Sequence, residues 1–104
     1  MKKKIKLLYV YEERIPLPLR NLVEKQIKIG NFVYKKMTYK LNKLKQEKLF
    51  DWADAVFFAP GRFIEDDVLK KAQKNVKIFQ LWSSGFEKFN VKTTKDLKIP
   101  LANN

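Results

Sequence analysis

The 104-residue sequence contains neither cysteine nor histidine. Without cysteine there is no disulfide, no thiolate nucleophile and no Cys-ligated metal. Without histidine the commonest general base and the commonest metal ligand are missing as well. Only three glycines are present, and no P-loop or GxGxxG phosphate cradle occurs. No apolar run reaches the ~18 residues of a membrane span. The start, MKKKIKLLYVYEE, alternates apolar residues with lysine and runs into acids instead of a small-residue cleavage site, so it does not read as a signal peptide. The expectation is one cytoplasmic domain, residues 1–104, large enough to bury a core without staples.

What is abundant is lysine. The 23 basic residues outnumber the 11 acidic ones, giving +12. Only three of the 23 are arginine: Arg14, Arg20 and Arg62. The lysines run along the whole chain instead of forming one arm or stripe. A nucleic-acid reader usually leans on arginine for bidentate contacts. The excess therefore reads as a solvated, lysine-rich surface, with nucleic-acid binding as the lesser alternative; a salt titration tests it, because phosphate contacts weaken steeply with ionic strength.

Alternation of short branched or aromatic runs with helical spacing sets the fold class. KIKLLYVYEE predicts a strand over 5–11. In LRNLVEKQIKIG, Leu19, Leu22, Val23, Ile27 and Ile29 lie near helical spacing and Gly30 is a stop signal. NFVYKKMTYK predicts a second strand whose lysines suit a sheet edge. LNKLKQEKLFDWAD predicts a helix bearing Leu41, Leu44, Leu49 and Trp52. AVFFAPGR is apolar on both faces, as a central parallel strand should be. FIEDDVLKKAQKN places acids in its first turn and lysines in its last, matching a helix dipole. VKIFQLW, a short helix within 83–98 and IPLANN complete a βαβαβαβαβ order. That order predicts an α/β, flavodoxin-like three-layer sandwich: a five-stranded parallel sheet in the order 2-1-3-4-5.

In such a sheet, ligands sit outside the carboxyl ends of the strands, here between the first and third. Strand one delivers Glu12, Glu13 and Arg14 there; strand three delivers Pro60, Gly61 and Arg62. Strand four delivers Trp82, Ser83, Ser84, Gly85 and Phe86; strand five delivers Asn103 and Asn104. Small residues at Ser83-Ser84-Gly85 let backbone N–H groups converge on an anion, and Gly61 lets the chain turn tightly so that Arg62 can join them. The predicted ligand is a small carboxylate or phosphate. The competing reading pairs Arg14 and Arg62 with Glu13, Glu65 or Asp66 at the surface. Glu12 and Glu13, adjacent on an extended chain, point to opposite faces and read as a solvated pair. An acceptor aspartate is absent from the end of strand three, where Phe58-Ala59-Pro60 stands, and Asp54 lies at the strand's other end.

Several motifs occur together and in order: Ala53-Asp54-Ala55, Asp67-Val68-Leu69 with Ala72, Val76-Lys77-Ile78-Phe79-Gln80, Ser83-Ser84-Gly85-Phe86-Glu87, and Ile99-Pro100-Leu101-Ala102-Asn103-Asn104. Across residues 53–104 this set closely resembles the amino-terminal substrate-binding (catalytic) domain of the D-isomer-specific 2-hydroxyacid dehydrogenases. The first half fits in pattern only. The sequence departs from the family at Glu87 and Asn90, where Asp is preferred, and at Lys98, where Gly is usual.

The resemblance implies an NAD- (or NADP-) dependent oxidoreductase acting on a D-2-hydroxy or 2-keto acid. It implies that backbone amides at Ser84 and Gly85 hold the substrate carboxylate, that Ser84 also touches the nicotinamide cofactor, and that Pro60-Gly61-Arg62 lines the pocket. The family's dinucleotide fingerprint and its catalytic Arg, Glu and His belong to a second domain, which this sequence does not contain. No catalytic residue, metal or bound cofactor is therefore expected in this chain. Its expected partners are the small acid and a dinucleotide-binding domain, in cis or in trans. The alternative is a stand-alone interaction module that forms a homodimer or pairs with that domain through apolar surface left uncovered.

Overall fold

A computed structural model describes residues 4–59, 61–81 and 89–103. Five strands form one parallel sheet: β1 (Lys6–Tyr11), β2 (Val33–Thr38), β3 (Ala55–Ala59), β4 (Ile78–Leu81) and β5 (Leu101–Asn103). Their order is β2-β1-β3-β4-β5, as expected from the sequence. The connecting helices are α1 (Leu17–Ile29), α2 (Lys43–Trp52), α3 (Asp66–Lys71) and α4 (Val91–Asp96), with α3 running on into a 3₁₀ turn at Ala72–Lys74.

Each helix has a local cause. Pro18 sits at the first turn of α1, where its missing N–H costs nothing. Gly30 ends α1, its amide returning to the carbonyls of Gln26 and Ile27. The left-handed conformation falls one residue later, at Asn31, with φ of 61°. Gly30 is needed for space instead, because a Cβ there would run into the Phe32 ring. Asn42 caps α2, its side-chain oxygen accepting from the Lys45 amide at 2.9 Å. Asp66 and Asp67 open α3 and Lys70 and Lys71 close it.

Strand alternation divides the core in two. Leu8, Val10, Val56, Phe58, Phe79 and Leu81 face α2, α3 and α4, where they pack with Phe50, Val68, Leu69 and Phe89. Leu7, Tyr9, Tyr11, Ala55 and Phe57 face the opposite side, with Val23 and Ile27 of α1. The handedness rule explains the unequal layers. The crossovers β2–α2–β3, β3–α3–β4 and β4–α4–β5 all run in one direction across the sheet, so right-handed connections put their helices on one face. Only β1–α1–β2 runs the other way, and among the described residues α1 is the one helix on the second face.

The helix α1 forms as expected and stops at Gly30, but most of its apolar face is uncovered. Of its apolar set only Ile27 is buried, while Leu19, Leu22 and Ile29 are exposed. Beside α1 lies an apolar groove of about 580 Å³, floored by Leu7, Ala55, Phe57 and Ile78 and walled by Leu22 and Phe32. It opens at the amino-terminal ends of the strands. In α2 likewise, Leu44 is exposed and Phe50 takes the core position.

Candidate functional site

The strand order reverses between β1 and β3. Loops leaving their carboxyl ends diverge there and open a crevice. The register pairs Tyr11, at the end of β1, with Ala59, at the end of β3. Glu12 and the Gly61-Arg62 pair therefore emerge side by side. Glu12 Oε1 forms an ion pair with Arg62 Nε. Arg62 Nη1 donates to the Gly61 carbonyl at 3.3 Å. The Arg62 amide donates to the Tyr39 hydroxyl at 3.1 Å, which ties the loop after β3 to the end of β2.

The two members of the ion pair differ in exposure: the Glu12 side chain is 16% exposed and Arg62 is 38%. Glu12 is thus no solvated acid, contrary to expectation, while half the prediction holds, since Glu13 turns away to Lys40 at 3.8 Å. Neither arginine pairs with Glu13, Glu65 or Asp66. Arg14 reaches the other Glu12 oxygen at 3.7 Å with its side chain 90% exposed, a contact worth little in water. Arg62 is the built-in member of the site and Arg14 a surface residue. On the β2 side a cleft of about 370 Å³ lies among Glu12, Glu13, Arg14, Thr38, Tyr39 and Lys40. The larger groove beside α1 is at the other end of the sheet and nearly lacks polar lining, so it offers an organic acid nothing to hold.

Burial pushes the Tyr39 phenol well above its ordinary range; the Arg62 N–H it accepts and the Arg62 charge pull it partly back, and Glu12 pushes it up. At neutral pH it is an uncharged acceptor.

Gly61 is buried, and its part differs from the expected one. No glycine among the described residues has positive φ, so no left-handed turn is made there. A Cβ at Gly61 would instead lie 2.7 Å from Leu81 Cδ2. Leu81 is fully buried and is the last residue of β4. Glycine thus lets the Arg62 loop press against the strand that leads to Ser84 and Gly85. Ser84 and Gly85 themselves, with Pro60, Trp82, Ser83 and Phe86, lie outside the described residues.

Asn90 was read as a departure from the family; its contacts give that a reason. Its amide nitrogen donates to the Ile64 carbonyl at 2.5 Å and to Asp66 Oδ1 at 2.9 Å, while its oxygen accepts from the Ile64 amide at 3.1 Å. Thr93 donates to the same Asp66 oxygen at 2.7 Å. An ionised Asp at position 90 could donate none of these bonds. The hydroxyl of Thr93, then the amide of Asn90, hold the Asp66 carboxyl below the usual carboxylate range. This network fixes the path of the chain between Arg62 and α3.

Sequence reasoning missed the Glu12–Arg62 pair and the Tyr39 contact. The signal was present: strand order 2-1-3 sets position 12 beside the residues that follow Ala59.

A family model described as the D-isomer specific 2-hydroxyacid dehydrogenase catalytic domain matches residues 12–104. The chain belongs to that family. Among solved structures, this dehydrogenase domain is similar to the NAD+-bound 3-phosphoglycerate dehydrogenase of Entamoeba histolytica. The TM-score is 0.77 at 16% identity, over 97% of this chain and 33% of that one. The likeness shows the fold, and the chain spans about a third of that enzyme's length. A search of curated proteins finds no match. Among the described residues no helix is long and apolar enough to cross a membrane.

The residues described here do not fit a dinucleotide. The first βα junction carries Glu12 and Glu13 where a pyrophosphate needs glycine and a helix start aimed at it. The N-cap of α1 is Pro16, which offers no side-chain cap and no N–H.

Proposed function

We propose that this domain seats a small D-2-hydroxy or 2-keto acid at the crevice between β1 and β3. The backbone amides of Ser84 and Gly85 take its carboxylate, and Arg62 closes the site from the β3 side. NAD or NADP is held by a dinucleotide-binding domain, in cis or in trans, and the redox chemistry belongs there. Ser84 is the one residue of this chain assigned a cofactor contact. The reading is supported by one observation: a Cβ at Gly61 would meet Leu81, so the Arg62 loop lies against the last residue of β4. An ¹⁵N-labelled chain titrated with D-lactate should show weak, saturable shifts at Gly61, the Arg62 side chain, Ser84 and Gly85. The chain alone should not oxidise NADH with pyruvate. Shifts confined to other residues, or robust turnover, would overturn the proposal.

A second reading is favoured by the groove beside α1. Its uncovered Leu22 and Ile78 suit pairing with another copy or with the dinucleotide-binding domain. Light scattering should then show association at high concentration, abolished by Leu22→Lys. Leu22 is 54% exposed, so stability should move by no more than about 0.5 kcal/mol. A monomer at every concentration, with the dinucleotide-binding domain also failing to bind, counts against this reading.

A further inference from the structure

We propose that the groove beside α1 is a second ligand site, one that takes a single-chain anionic amphiphile as a monomer, such as a medium-chain fatty carboxylate. The inference is independent of the acid-binding reading, because the groove lies at the opposite end of the sheet from Arg62 and Glu12.

The middle of the groove has room for hydrocarbon and little else. Its floor strands β1, β3 and β4 each have a hydrogen-bonded neighbour on both sides, so they offer no free backbone edge. Leu7, Ala55, Phe57 and Ile78 form the floor, and Leu22 and Phe32 the walls. Its volume of about 580 Å³ falls within the rough range of 300–1,000 Å³ for small-molecule sites. The floor is recessed beside a helix about 10 Å across, so a flat bilayer resting on Leu22 does not reach Leu7 or Phe57.

The end of the groove is cationic. The last turn of α1 comes just before β2 starts at Val33, and so lies at the amino-terminal ends of the strands. Three lysines stand there: Lys4 before β1, Lys28 in that last turn and Lys77 before β4. All three are exposed, and none makes an ion pair among the described residues. The amides of Asp54 and Lys77 donate to the carbonyls of Lys6 and Asp54 at 2.8 Å each, which holds the starts of β1, β3 and β4 level. The acid at the start of β3, Asp54, is already engaged, accepting from the Lys6 amide at 3.0 Å. Glu24 of α1 is turned away to Tyr34 and Lys36 of β2. A lysine can lay its stem along a hydrocarbon chain while its ammonium meets the carboxylate at the chain's end. A second copy of this chain brings its own +12 to the same lysines, so it is the poorer occupant. The ligand covers Leu22 and Ile78, so its binding and any pairing through the groove exclude one another.

The test titrates decanoate, below its micellar concentration, into the ¹⁵N-labelled chain. Saturable shifts should appear at Leu7, Ala55, Phe57 and Ile78. Octanoate should bind about tenfold more weakly, because it buries two fewer methylenes. Decyltrimethylammonium has the same tail and the opposite charge, and should also bind at least about tenfold more weakly. Replacing Lys4, Lys28 and Lys77 together by Gln should weaken decanoate by about tenfold, the order expected for three exposed charges. Equal affinity for the two head groups overturns the inference, and so do shifts that miss the floor. Binding to phosphatidylglycerol vesicles without any floor shift from decanoate makes this a membrane face and overturns it as well. If the chain associates, decanoate should dissociate it. An association that decanoate leaves intact, with the floor silent, overturns this inference and leaves the pairing reading standing.

Discussion

Replacing Phe58 by alanine should cost about 3–5 kcal/mol, a large part of the stability of a domain this size. Phe58 lies near the end of β3 and is fully buried. Its ring meets Phe89 at 4.7 Å, Phe79 at 5.6 Å and Phe50 at 6.3 Å between centroids. Phe79 also packs edge-on against Phe89 at 6.3 Å and Phe50 at 6.5 Å. The cluster thus joins β3, β4, α2 and the entry to α4. Edge-to-face pairs add about 0.5–1.5 kcal/mol each beyond the area they bury. No small neighbour can move in to fill the gap, because rings from three other segments hold its walls apart. Urea unfolding should show a lower midpoint with an unchanged slope. Phe63→Ala is the control: with Phe63 64% exposed, it should shift stability by less than about 0.5 kcal/mol. A loss below about 1 kcal/mol at Phe58 would mean that the cluster does not carry the core.

The fold was legible because its signals are local. Ala55 to Ala59 reads as a strand apolar on both faces, and the structure sends Val56 and Phe58 one way and Ala55 and Phe57 the other. The acids Asp66 and Asp67 mark a helix start that forms where expected, and α2 forms within the segment read for it. The strand order followed from the alternation of elements and the order common to five-stranded parallel sheets. What periodicity could not tell was whether a second helix covers the face that α1 shares. Leu19, Leu22 and Ile29 have core-like spacing and yet stand in the open. The site was legible to the level of loops. Placing Arg62 at the switch point needed only the topology. Its partner needed the register of β1 against β3, which brings residues fifty positions apart into contact. Gly61 was flagged for the right place on the wrong ground: it serves close packing against Leu81, a contact no sequence window contains. Asn90 differs from the family residue for a similar reason, since the carbonyl and carboxylate it donates to belong to another loop.

Raising the pH from 10 toward 12 should strip the domain of stability, and two phenols, Tyr9 buried and Tyr39 half-buried, carry the effect. Tyr9 is about 1% exposed, and burial, with smaller contributions from Glu24 and Tyr11 against an opposing one from Arg20, pushes its pKa up to about 12. Tyr39 is pushed up further, again by burial first. An unfolded tyrosine ionises near 10. The folded state therefore keeps protons that the unfolded state releases, and each increment of pH above 10 favours unfolding. The contribution is fully present below pH 10 and is lost as pH climbs toward the folded pKa. For Tyr9 alone a two-unit difference amounts to roughly 2–3 kcal/mol by pH 12. Comparing urea unfolding of the wild type with Tyr9→Phe and Tyr39→Phe across this range separates the two phenols. Each variant should flatten the alkaline decline, and Tyr39→Phe should also loosen the Arg62 loop, since it removes the oxygen that accepts the Arg62 amide. If both variants decline as the wild type does, these phenols are not the groups that the folded core keeps protonated.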